Sequence, residues 1–170
     1  ITVNGSNAVF HTELDANVAT FTSGSDLIGS DSVPNDEEGH GSHVAGIIAG
    51  ENNGSGYHGV AYDATLYIYK VLNDSGSSVG NSIASGITKA RGDGVDIMNL
   101  SLGDSGTIGS TCNSASSCET SLGSTLYTEL EASGAAGKIL VWAAGNDGNS
   151  SPSTISGAAI YDDDFKETTV

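Results

Sequence analysis

Two histidines three residues apart, His40 and His43, stand at the head of Gly39-His-Gly-Ser-His-Val-Ala-Gly-Ile-Ile-Ala-Gly50, a segment otherwise almost wholly small and apolar. An imidazole titrates near neutrality, so such a ring can take and return a proton at physiological pH. Spacing of i and i+3 also suits two metal ligands on one helix face, although no third ligand is evident. Asn146 lies in Ala143-Ala-Gly-Asn-Asp-Gly148. Taken alone, the same residues read as a turn.

Cys112 and Cys118 lie close together in a Gly/Ser-rich loop. Zinc would need further Cys or His nearby, and none is there. Oxidised, the pair would close a short loop, stabilise by roughly 2–2.5 kcal/mol and point outside the cytosol. Two free thiols are the other reading. The acidic runs Asn35-Asp-Glu-Glu38 and Tyr161-Asp-Asp-Asp164 read as solvated loops rather than metal sites. Lys and Arg number 5 against 21 Asp and Glu, a formal charge of −16. Such a surface repels nucleic acid and anionic membranes, so neither is expected as a partner. No stretch reads as a signal peptide. The longest apolar run, Ile139 to Ala144, is too short to span a bilayer, so no membrane contact is expected from this segment.

The elements that must position these residues follow from the pattern. At 170 residues the chain suits one compact domain. Residues 1–38 are rich in Gly, Ser, Asn and Asp, with a short strand expected over Val18–Thr22. Gly41–Ala49 reads as a helix of small residues, and Thr65–Leu72 as a β-branched, aromatic strand. Asn81 suits the cap of a helix striped by Ile83, Ile87 and Ala90. Val95–Leu100 is a second strand, and Leu122, Leu126 and Leu130 stripe a third helix. Ile139–Ala144 has the continuous apolar character of a strand buried on both faces. Alternating strands and helices imply parallel pairing through crossovers, hence an α/β sheet with helices on its faces. The loops after the strands, residues 73–80, 101–104 and 145–148, should emerge at one edge, where ligands bind in such sheets. His40, at a helix start, belongs to that same edge.

His40-Gly-Ser-His-Val-Ala-Gly46 resembles the catalytic-histidine segment of the subtilisin-like serine proteases, the subtilases. Gly59-Val-Ala61 ahead of a strand ending Lys70-Val-Leu72, then Met98-Asn-Leu-Ser-Leu-Gly103, then Ala143-Ala-Gly-Asn-Asp-Gly148 resemble further segments of that family, in its order. The resemblance covers about residues 10 to 150. It implies a three-layer α/β fold, a predominantly parallel sheet with helices on both faces, here incomplete at both ends. His40 then aligns with the general base, and Asn146 with the oxyanion donor. His43, one turn further along with Val44, Ile47 and Ile48, is expected to be packed rather than catalytic. Gly76-Ser-Ser78 and Ser101-Leu-Gly103 match backbones that hold a peptide substrate as an added strand. Glu51-Asn-Asn-Gly-Ser-Gly-Tyr57 occupies the place of a loop that binds a structural calcium in some members, with Asn53 as a side-chain ligand. A plain flexible turn is the other reading of that loop. The chemistry itself calls for no cofactor.

Such a protease runs Asp, His, Ser along its chain, and only the His segment has a match here. Phe10-His-Thr-Glu-Leu-Asp15 resembles the stretch that follows the family's aspartate motif, so Asp15 is not that acid. No Gly-Thr-Ser occurs anywhere. Gly76-Ser-Ser-Val-Gly80 has the form of the α/β-hydrolase elbow with Ser78 at its centre. That elbow requires its histidine later in the chain, and the four histidines, at 11, 40, 43 and 58, all come earlier. The expectation is an internal part of a subtilase peptidase domain spanning residues 1–170, inactive alone because the catalytic Asp and Ser segments are missing. The whole protein would be an extracellular or cell-surface endopeptidase acting on protein or peptide substrates. A non-catalytic, peptide-binding remnant of the same fold and an acidic cation-binding module are the competing readings.

Overall fold

The computed structural model describes residues 2–4, 7–19, 25–29, 33–103, 115–143 and 146. Its chain divides into two compact units, residues 1–86 and 87–170, with the division falling inside a helix.

The first unit opens on a hairpin that the sequence did not suggest. Strands β1 (Thr2–Asn4) and β2 (Asn7–Val9) pair antiparallel, Thr2 opposite Val9. Helix α1 (His40–Ala49) follows Gly39, whose φ of 98° is a left-handed conformation that favours glycine. It stops at Gly50, whose N–H still donates to Gly46 O at 2.9 Å. Ala45 and Ala49 form its buried face. The chain then folds back over this end of the helix, with Gly59 N–H donating to Gly50 O at 2.8 Å and Val60 N–H to Ile47 O at 3.0 Å. A side chain on Gly59 would begin 2.5 Å from Ala49 N, so the return is possible only for glycine. Asn17 ties the helix end to the returning chain by donating to Ala49 O at 2.9 Å and Tyr62 O at 2.7 Å.

The strand expected over Thr65–Leu72 is realised as separate bridges. Val18 pairs parallel with Leu66, Asp26 parallel with Lys70, and Leu72 antiparallel with Ser78. Only Val18 and Ala19 of the expected strand Val18–Thr22 are described, and its remaining residues lie outside the described ones.

Helix α2 (Ser82–Gly92) carries the expected stripe, with Ala84, Ile87 and Ala90 buried and Ile83 half-buried. In the second unit, β3 (Ile97–Leu100) pairs parallel with β4 (Ile139–Trp142), in register from Ile97–Ile139 to Leu100–Trp142. Parallel pairing requires a crossover, and helices α3 (Ala115–Leu122) and α4 (Ser124–Ala135) lie on it, α4 packing on β4. A single helix bearing Leu122, Leu126 and Leu130 was expected. Gly123, with φ of 82°, breaks it in two, and the buried residues of α4 are Tyr127, Leu130 and Ser133. Strand β4 is not buried on both faces: Ile139 is 42% exposed while Leu140 is fully buried. Successive side chains of a strand point to opposite faces, so Ile139 lies on an open face and Leu140 on a covered one. Arg91 of α2 clamps α4, donating to Glu129 Oε2 at 2.6 Å and to Ser133 Oγ at 3.1 Å. That guanidinium, with Thr88, holds the Glu129 carboxyl below the usual carboxylate range.

Cys118 is fully buried and disulfide-bonded, so the oxidised reading holds. Cys112, the only other cysteine of the sequence, lies outside the described residues, as does the acidic run Tyr161–Asp164.

Candidate active site

His40 is the first residue of α1 and is exposed. A helix start leaves backbone N–H groups without intrahelical acceptors. Here two upstream carboxylates accept from them. Asp36 Oδ1 accepts from Gly39 N–H at 2.8 Å, and its Oδ2 accepts from Ser42 N–H at 2.7 Å and from Ser42 Oγ at 2.6 Å. Glu38 Oε2 accepts from His40 N–H at 2.9 Å. The backbone on both sides of His40 is thus held by one carboxylate. Partial burial pushes the Asp36 pKa up, but the Ser42 hydroxyl and the N–H groups of Gly39 and Ser42 outweigh it and hold it below its ordinary 3.8. The acidic run Asn35–Glu38, expected as a solvated loop, therefore includes the cap of the histidine helix. A carboxylate ahead of a helix whose third residue is serine was the available signal.

Lys70 braces the same loop. Its Nζ donates to Asn35 O at 2.7 Å and contacts the Asp74 carboxylate. This hydrogen bond holds the exposed Asp74 carboxyl below the ordinary range. Gly76, Ser77 and Ser78 follow directly and are exposed, at the end of a tight loop that begins at Asn73.

His43 is exposed, contrary to the expectation that it is packed with Val44, Ile47 and Ile48. Helix α1 turns Ala45 and Ala49 inward. His43, two residues before Ala45, falls about 200° around the helix from it, and Ile47 is 57% exposed. The metal-pair reading gains nothing, since no cluster of three or more His, Cys, Asp or Glu able to hold an ion occurs among the described residues.

In the second unit the ends of β3 and β4 lie side by side. Ala143 N–H donates to Leu100 O at 3.2 Å, so Ser101 and Ala143 leave the parallel pair at the same end. Ser101 and Leu102 are half-buried, Gly103 and Asn146 exposed. Asn99 Nδ2 donates to Ser101 Oγ at 2.9 Å and steadies that turn. The neighbours Gly145, Asp147 and Gly148, and Asp104 of the expected loop, lie outside the described residues.

Asn53 is exposed, and its Oδ1 accepts from Ser55 N–H at 3.0 Å. Sequence reasoning missed a carboxylate nearby. Glu13 Oε2 is buried with no hydrogen-bond partner and sits 3.4 Å from where a side chain on Gly56 would begin. Glu13 O accepts from Glu51 N–H at 2.9 Å, which fixes the start of the 51–57 loop against it. An unpartnered buried carboxylate oxygen is a donor of the kind a hard cation takes.

The subtilase family model matches residues 4–164. Subtilisin DY of Bacillus licheniformis is 38% identical over 156 residues, which span 91% of this chain and 50% of that protein. Thermitase of Thermoactinomyces vulgaris is 37% identical over 130 residues, 76% of this chain and 41% of that protein. Among solved structures, sphericase aligns with a TM-score of 0.63 at 32% identity, covering 82% of this chain and 43% of that one, and shares its α/β fold. The chain thus spans half or less of the length of these relatives.

Proposed function

Because this chain belongs to the subtilase family, we propose that it is the histidine-bearing part of a serine endopeptidase, with His40 as general base and Asn146 as oxyanion donor. The observation that carries this reading is the family match across residues 4–164. In the proposed reaction a serine hydroxyl attacks a peptide carbonyl while His40 takes its proton. Asn146 Nδ2–H donates to the oxygen as negative charge builds there. His40 then protonates the leaving amine, and water attacking the acyl-enzyme releases the second product. The acid and the nucleophile are assigned to sequence other than these 170 residues, because no segment here matches the family's motif for either.

The backbones of Gly76–Ser78 and Ser101–Gly103 would bind the peptide as an added strand, giving protein and peptide substrates as the partner class. A structural calcium would be held by Asn53 and Glu13 together with loop carbonyls, supplying stability rather than chemistry. An extracellular setting suits the disulfide at Cys118 and the charge of −16.

The test is hydrolysis of a fluorogenic peptide by the full-length protein, with and without a sulfonyl fluoride that acylates reactive serines. Cleavage abolished by the reagent is expected. Peptide binding without cleavage would favour the non-catalytic remnant, and cleavage indifferent to the reagent would contradict serine chemistry.

A further inference from the structure

We propose that Asn73 is a positioning residue that presets the Gly76–Ser78 backbone for an extended peptide, an inference that rests on the protease reading above. Asn73 Oδ1 accepts from the N–H groups of Ser75 and Ser77, both at 3.0 Å. Its own N–H donates to Ser77 O at 2.8 Å, and its C=O accepts from Gly76 N–H at 2.9 Å. One residue therefore closes the whole loop from 73 to 77. Gly76 adopts a φ of 73° inside it, and Leu72 and Ser78 then face each other as an antiparallel bridge.

These bonds decide which backbone groups remain for a ligand. Ser77 uses both its N–H and its C=O on Asn73, and Gly76 uses its N–H. Groups alternate sides along an antiparallel pair, and Leu72 and Ser78 face each other without exchanging hydrogen bonds, which leaves the N–H and C=O of Ser78 on the open edge. That is the donor and acceptor set a strand-like peptide requires. Residues 74–80 are all exposed, so packing contributes little to holding them. Besides Asn73, the restraints on this loop include the Lys70–Asp74 pair, a hydrogen bond between the Asp74 and Glu37 side chains, Val79 N–H donating to Ser82 Oγ at 3.2 Å and Ser82 N–H donating to Val79 O at 3.1 Å. Without the Asn73 side chain, two N–H groups turn to water and the loop samples other shapes. Ordering it is then charged to substrate binding.

The experiment compares the full-length protein with Asn73→Ala and Asn73→Asp on two substrates. One is a peptide long enough to lie along residues 76–78, the other a short chromogenic ester that reaches only the reacting carbonyl. Asn73→Ala is expected to raise KM for the long peptide about tenfold, with kcat within about twofold and the ester unaffected. Asn73→Asp, which keeps an acceptor for both N–H groups, should restore the wild-type KM. Should Asn73→Ala fail to fold, Asn73→Ser, too short to reach Ser77, makes the same comparison. A long-peptide KM unchanged by a folded variant overturns the inference, as does an equal loss on both substrates. A wild-type protein that cleaves neither substrate overturns the protease reading first, and is told apart by that.

Discussion

Replacing Asp36 with alanine removes the acceptor for two backbone N–H groups and one hydroxyl around His40, at 2.6–2.8 Å. A hydrogen bond to a charged group contributes about 1.5–3 kcal/mol when shielded, and loss of a helix cap costs about 0.5–2 kcal/mol. Asp36 is only half-buried, so water replaces part of what is lost, and the expected destabilisation is about 2 kcal/mol. The Asp36→Asn variant keeps one acceptor oxygen but must strand the other N–H, for about 1 kcal/mol. The sign of the pH dependence follows from the depressed carboxyl. Folding favours the ionised form, so the contribution is complete above the unfolded value of 3.8 and fades as pH falls through the lower folded value. Urea unfolding of wild type and Asp36→Asn should therefore differ at neutral pH and converge in strong acid. Equal stabilities at neutral pH, or a gap that persists in strong acid, would refute the capping account.

Gly59→Ala should destabilise by more than about 2 kcal/mol in urea unfolding, since its Cβ would meet backbone atoms of Ala49 and Gly50 at 2.5 and 2.6 Å; a neutral result would mean the α1 return is loose. Asn146→Ala should lower kcat about 100- to 1,000-fold with KM little changed, a scale measured on subtilisin, a member of the same family; an effect confined to KM would remove the oxyanion assignment. Reducing the disulfide at Cys118 should lower unfolding stability by about 2 kcal/mol, and no change on adding reductant would show that the bridge constrains little.

The helices around small and aliphatic residues were legible because periodicity alone reveals them: α1 begins one residue before the expected Gly41–Ala49, and α2 buries Ile87 and Ala90. Strands β3 and β4 were also legible, and their parallel register brings Ser101 and Ala143 out at the same end of the pair. Less legible was anything decided by side chains reaching across the chain. Asp36, Glu38 and Lys70 brace the histidine loop through local hydrogen bonds that leave no periodic trace. Glu13 and the 51–57 loop are distant in sequence and meet only through folding. His43 was misjudged because a helix of Gly, Ala, Val and Ile offers several apolar faces, and close packing selected the one with the smallest side chains. Gly123 broke the third helix where a leucine stripe suggested continuity.

The proposed function rests on His40 acting as the general base of a peptidase. Its most direct test is kcat/KM for a fluorogenic peptide with the full-length wild-type protein and its His40→Ala variant. A fall of about 10⁴-fold or more with peptide binding retained is expected, a scale again set by subtilisin, a family member. A His40→Ala protein that cleaves at the wild-type rate would contradict it.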